Sequence, residues 1–293
     1  MPETEQITYN EHFIPKMYFR RFTNSTTGIN RYAVDNVDFG PEWKSLNKIC
    51  REYKLYELFD ESGEIILPNM IENTFQRIEK KAGDAFISIC KRAENGNCLN
   101  CTSFLSEEEK NYLVLFIVSL VYRDVHTIES GVEFLKETEP GITDREARNF
   151  TLMNLLPLWG NAERNEKTVI RTALENYENM AFQIGVYHDD VFFTSDRPVV
   201  QWGLNSSGAD KRPREVIFPL SSRIVLYMYP TEHVEPNSRN CLFALDEELI
   251  KEIQFYVAGF AREHIYSRLP LTEAQINIVK EARRRLHETK QER

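Results

Sequence analysis

Five runs decide the fold: Phe182-Gln-Ile-Gly-Val-Tyr187, Val191-Phe-Phe-Thr194, Val199-Val-Gln-Trp202, Val216-Ile-Phe218 and Ile224-Val-Leu-Tyr-Met-Tyr229. All are β-branched or aromatic. Turn residues separate them: Asp189-Asp190, Ser195-Asp196-Arg197-Pro198 and a polar loop from Asn205 to Arg214. This spacing predicts an antiparallel sheet or meander in the second half of the chain.

Upstream the periodicity is helical. Pro68 opens a helix to about Ala93, with Ile71, Phe75, Ile78, Ala82, Phe86 and Ile89 recurring every three or four residues. Ser106 and Glu109 form a capping box ahead of the apolar run Tyr112–Tyr122, and Thr143 with Glu146 forms a second before a helix to about Leu155. A further helix is expected over Glu166–Met180. Downstream, helices are expected over Asp246–Arg262 and from Thr272, with a charged, solvated tail from Lys280. Early in the chain, residues 1–11 read as frayed. Pro15 starts a short helix to Phe22, and Ile29–Val34 and Tyr53–Phe59 read as strands. Glu64–Leu67 is the return strand of a hairpin over Asp60-Glu61-Ser62-Gly63. Segregated helices and strands make the class α+β, mainly helical, with one domain over residues 1–293. Its helical portion runs about 68–180, its β-rich portion about 182–230 and its C-terminal helices about 246–288.

Hydrophobic residues make up 42% of the chain and charged residues 28%, the balance of an ordinary globular protein. A net charge of -9 argues against broad, sequence-blind wrapping of nucleic acid, which needs dense Lys and Arg. It leaves room for a local basic groove, toward which Lys16, Arg20, Arg21 and Arg31 point. Five cysteines fit a reducing compartment. The N-terminus has no apolar leader, and the apolar run Tyr112–Tyr122 is too short to span a bilayer, so a cytoplasmic protein with no membrane contact is expected.

Several polar residues stand where packing alone would not select them. His12 lies just ahead of Pro15, where an imidazole titrates near neutrality, binds a metal or caps the helix. Glu72 and Glu79 are seven apart, on one face of the Pro68 helix beside its apolar stripe. That placement suits a cation site, acid–base work or ion pairing. Arg123 ends the most apolar helix and would anchor a carboxylate such as Glu72 or Glu79, or a substrate anion. Asp196 stands where a strand stops, a position that serves function or a structural turn. Cys98 and Cys101 form a single CxxC with no second pair at zinc spacing. Phosphate loops, dinucleotide fingerprints, GxSxG and HExxH are absent from the sequence.

Three stretches together resemble one family. His12-Phe-Ile-Pro-Lys-Met-Tyr18-Phe-Arg-Arg-Phe22 is similar to its opening H-[FY]-[VI]-P-x-x-Y-L-x-x-F. Phe193-Thr-Ser-Asp196-Arg-Pro198 is similar to F-x-[TS]-S-D-x-P, and Ile217-Phe-Pro-Leu-Ser221 to a following F-P-L-S strand end. The family is the one catalogued as domain of unknown function 4238. Phe19 stands where Leu is usual and Arg197 where Asn is common. The resemblance implies that Glu72 and Arg123 join the recurring polar set, and it supplies no reaction.

The reading that follows is a polar cleft of His12, Glu72, Glu79, Arg123 and Asp196 performing phosphodiester hydrolysis, as in a nuclease effector of defence. Glu72 and Asp196 would hold a divalent metal, Mg or Mn. His12 would act as base or ligand, and Arg20 or Arg123 would steady a phosphate of bound nucleic acid. The rival reading is a binding or interaction module in which the same residues form a buried structural network.

Overall fold

The computed structural model describes residues 9–95, 101–154, 175, 177, 179–202 and 215–291. Its class is α+β, mainly helical, with small and largely antiparallel sheets. The Pro68 helix is α2, Met70–Glu94, following the four-residue α1, Lys16–Phe19. All six predicted stripe residues of α2 are buried, with Phe75, Ala82, Phe86 and Ile89 at 0% exposure. The helix α3, Glu107–Tyr122, carries the expected capping box at Ser106 and Glu109. It packs against α2 through an edge-on pair, Phe86 and Phe116, 5.1 Å apart. Arg123 closes α3 rather than continuing it. Asp124 then caps α4, Val125–Thr138, and Thr143 and Glu146 cap α5, Asp144–Met153.

Four of the five β-rich runs form the expected antiparallel sheet, and the fifth joins a second sheet. In chain order they are β1 Asn10–His12, β2 Gly28–Ala33, β3 Glu42–Ser45, β4 Arg51–Tyr53, β5 Leu58–Phe59, β6 Ile65–Ile66, β7 Met180–Val186, β8 Thr194–Ser195, β9 Val200–Trp202, β10 Glu215–Pro219, β11 Ile224–Pro230, β12 Asn240–Ala244 and β13 His264–Ser267. A five-stranded sheet has the order β12-β7-β11-β10-β9, antiparallel except for β12, which lies parallel to β7. A four-stranded sheet, β3-β2-β13-β8, takes the Thr194 strand away from the meander. The amides of Val191 and Phe192 both donate to the Ser222 carbonyl, so that run crosses between sheets instead of pairing along one. The hairpin of β5 and β6 is present, but the expected Tyr53–Phe59 strand is split by Lys54, whose φ is +53°.

Three further expectations need correction. Glu11 is not frayed: it is 1% exposed in β1, which pairs with β4. The last helix, α7 (Glu273–Gln291), is not simply solvated from Lys280, because Ala282 is 1% exposed and Lys280 and Arg283 pair with Asp38 and Asp35. It packs on α6, Glu247–Phe260, which Asp246 caps. Most of the Glu166–Met180 helix lies outside the described residues, and Met180 itself begins β7. Among the described residues no helix is long and apolar enough to cross a membrane.

The segment from His12 to Phe22 is the keystone. Tyr18, Phe19 and Phe22 are each 0% exposed. Tyr18 stacks on Phe218 at 5.2 Å, and its hydroxyl shares a 2.7 Å hydrogen bond with the Thr194 hydroxyl and donates at 2.8 Å to the Pro219 carbonyl. One side chain therefore joins the opening helix, the start of β8 and the end of β10. The three sequence motifs meet there in the core.

Candidate functional site

Polar residues collect in two separate places. The first is a buried network around Arg123, which is 0% exposed. Its Nη1 pairs with Glu79 Oε1 at 2.8 Å, its Nη2 donates to the His12 carbonyl, and its Nε reaches the Tyr56 hydroxyl at 3.4 Å. The guanidinium lies 4.4 Å from the centre of the Phe75 ring. Burial opposes its charge, but Tyr56, Glu79 and Glu72 outweigh that and hold its pKa above the ordinary value. The Tyr56 hydroxyl donates at 3.0 Å to the Arg123 carbonyl, so the end of α3 is tied to the segment before α2 from both sides.

Three more acids surround this network, two of which sequence reasoning missed. Glu11 accepts from the Tyr56 amide at 2.8 Å, and Glu57 accepts from the Asn69 amide at 3.1 Å. Glu72 accepts from Gln76 at 3.4 Å, which is a long contact. Burial pushes the Glu11 carboxyl up to about 8, and it also raises Glu57 and Glu72. Among the described residues, Glu11 Oε1 and Glu72 Oε2 have no hydrogen-bond partner. The His12 ring is half-buried and lowered to about 4 by desolvation first and by Lys16 next, while the Leu46 carbonyl works the other way. His12 is therefore a neutral imidazole whose backbone, not its ring, joins Arg123.

The second place is an open cleft of about 730 Å³ between β4, the start of α4 and the turn into β13. Of the residues singled out in the sequence as site members, only Asp196 lines it. Asp196 is 7% exposed. Its Oδ1 accepts from the Arg262 amide at 2.8 Å, and its Oδ2 accepts from the Glu263 and His264 amides at 2.8 and 2.9 Å. Burial raises its pKa despite those three amides. The ring of His264 stands beside it, with Nδ1 3.8 Å from Asp196 Oδ2 and 3.7 Å from Glu263 Oε2. Burial and the neighbouring Arg31 lower the His264 pKa.

Six cations line the cleft: Arg31, Lys48, Arg51, Lys54, Arg148 and Arg262. Five acids share it, but Asp196 is occupied by backbone amides and Asp124 by the cap of α4. Arg31 pairs with Glu42. Among the described residues, no carboxylate lies within ion-pair range of Lys48, Arg51, Lys54 or Arg262, whereas Arg148 donates to the Lys54 and Leu55 carbonyls. Of the basic residues named early in the chain only Arg31 lines this cleft; its other cations come from later residues. The signal for it was the three-residue spacing of Lys48, Arg51 and Lys54, together with the Arg262-Glu263-His264 turn after an apolar helix. Arg20 is exposed on the turn after α1 and does not line the cleft.

The acids expected to hold a cation do not converge. Glu72 meets Gln76 and the Arg123 network, whereas Asp196 meets the amides of the Arg262 turn. Among the described residues no three His, Cys, Asp or Glu side chains are placed to hold a metal ion. Cys98 lies outside the described residues, and Cys101 is a free, half-buried thiol.

A family model described as "Protein of unknown function (DUF4238)" matches residues 10–269. No curated protein and no solved structure matches the chain.

Proposed function

Since the chain belongs to that family, which brings no reaction with it, we propose from the cleft itself that the protein binds a nucleic-acid strand along the Lys48–Lys54 wall. The observation that carries this reading is the set of four cleft cations, Lys48, Arg51, Lys54 and Arg262, with no carboxylate within ion-pair range among the described residues, on a chain of net charge -9. Cations with no bonded carboxylate keep donors free for an anion, and a phosphodiester backbone supplies such charge at regular intervals. The mixed lining limits binding to a short stretch of strand rather than extended wrapping.

Fluorescence anisotropy with a labelled single strand of about 15 nucleotides tests this. Binding that weakens with salt and falls on the order of 10-fold in Arg51→Glu supports the reading. Salt-independent binding, or binding untouched by Arg51→Glu, overturns it.

A second reading, phosphodiester hydrolysis, is favoured by His264. A neutral imidazole at a cleft wall, with one ring nitrogen facing Asp196, is suited to accept a proton from an attacking hydroxyl or water. Asp196 then acts as a positioning residue for the ring. Incubation of the same strand with and without EDTA examines this: cleavage that survives EDTA and disappears in His264→Ala, with binding retained, is expected. Cleavage that is unchanged in His264→Ala rejects the assignment.

A further inference from the structure

We propose that Tyr53 and Tyr9 form a platform for an unpaired nucleobase, so that the strand taken by the cleft is single-stranded. The inference rests on the reading of the cleft as a nucleic-acid site. Tyr53 ends β4 and lines the cleft, and it is 64% exposed. Tyr9, 45% exposed, stacks on it with ring centres 5.8 Å apart and planes 17° from parallel. Large aromatic rings at such exposure bury little surface for the fold. They offer flat π-faces beside charges that attract phosphate.

Lys54 links the two features. Its Nζ lies 5.5 Å from the Tyr9 ring centre, 5.4 Å from that of Tyr53 and 5.6 Å from that of Phe59. The ammonium is therefore held at the rings instead of sweeping solvent. Cys50 and Lys54, the residues on either side of β4, both have left-handed backbones, with φ of 46° and 53°. Side chains other than glycine are strained in this conformation. Both residues line the cleft, and together they bracket the three residues, Arg51 to Tyr53, that carry a cation and an aromatic face to the same wall. Phosphates spaced along a strand would meet Lys48 and Arg51 while a base lies on Tyr53. A duplex keeps its bases stacked inside and cannot make the second contact.

The test compares two fluorescein-labelled strands of about 15 nucleotides, oligothymidylate and an abasic phosphodiester of the same length. Wild type is expected to bind oligothymidylate on the order of 10-fold more tightly. Tyr53→Ala should remove most of that preference while leaving the abasic strand unaffected, and Tyr53→Phe should keep it. If wild type binds both strands equally and Arg51→Gln weakens both, the cleft reading stands and the platform is wrong. Equal losses on both strands in Tyr53→Ala also overturn the platform. If neither strand binds, the cleft reading itself fails and takes the platform with it.

Discussion

Arg123 and Arg51 are both arginines, yet their circumstances differ. Arg123 is 0% exposed and bonded to Glu79, Tyr56 and the His12 backbone. Arg51 lines an open cleft with no carboxylate within ion-pair range among the described residues. The same residue type is a strut in one place and a vacant charge in the other. What separates them is whether every donor already has an acceptor inside the fold. A guanidinium completed by protein groups has nothing left for a ligand, and removing it would leave charges uncompensated. A guanidinium without such partners costs the fold little to lose.

Arg123→Leu is expected to cost about 3–5 kcal/mol or to prevent folding, because Glu79 and the His12 carbonyl lose their partner. Urea unfolding of the purified variant measures it, and a midpoint equal to wild type would mean the network is no strut. Tyr18→Phe comes next at about 1–3 kcal/mol, since the Thr194 hydroxyl and the Pro219 carbonyl lose a shared buried partner. Thermal melting decides it, and an unshifted midpoint would remove the keystone role.

Acidity sharpens the same contrast. Glu11 stays neutral in the fold up to about pH 8 but ionises near 4.5 when unfolded. Between those values the unfolded chain binds fewer protons, so stability falls as pH rises. His12 runs the other way: it is neutral in the fold down to about pH 4 and protonated below 6.5 when unfolded, so its share of stability falls as pH drops below 6.5. The two slopes cancel between about pH 4.5 and 6.5, leaving a net loss between 6.5 and 8 from Glu11. Wild type should therefore melt lower at pH 8 than at pH 6, with much of that difference gone in Glu11→Gln. An identical difference in the variant would contradict the assignment. The smallest stability effect belongs to the cleft. Lys48→Gln should change unfolding free energy by less than about 0.5 kcal/mol. It should also reduce the salt dependence of strand binding by about 0.7 in log–log slope. An unchanged slope would take Lys48 off the binding wall.

The long elements were legible because their signals are local. The stripe from Ile71 to Ile89, the boxes at Ser106 and Thr143, and a carboxylate partner for Arg123 all follow from spacing of a few residues. The strand β13 was not, because His264 to Ser267 carries no punctuation of its own and becomes a strand only between β2 and β8, far away in sequence. The parallel strand β12 was missed for the same reason. Asp196 was singled out as a strand-end carboxylate, and it does line a cleft. Its structural half, three amides from the Arg262 turn, depends on that same unforeseen strand. The sequence also could not show that His12 contributes its backbone and Tyr18 its side chain. Nor could it show that left-handed residues at 50 and 54 aim β4 at solvent. Those outcomes depend on tertiary geometry that residue spacing does not encode.

Hydrogen–deuterium exchange with a saturating single strand tests most directly whether the cleft, and not the Arg123 network, meets the ligand. The account predicts slower exchange in peptides covering residues 48–54 and 261–266, with peptides covering 72–79 and 116–123 unchanged. Protection confined to the second pair, or no protection at either, would contradict it.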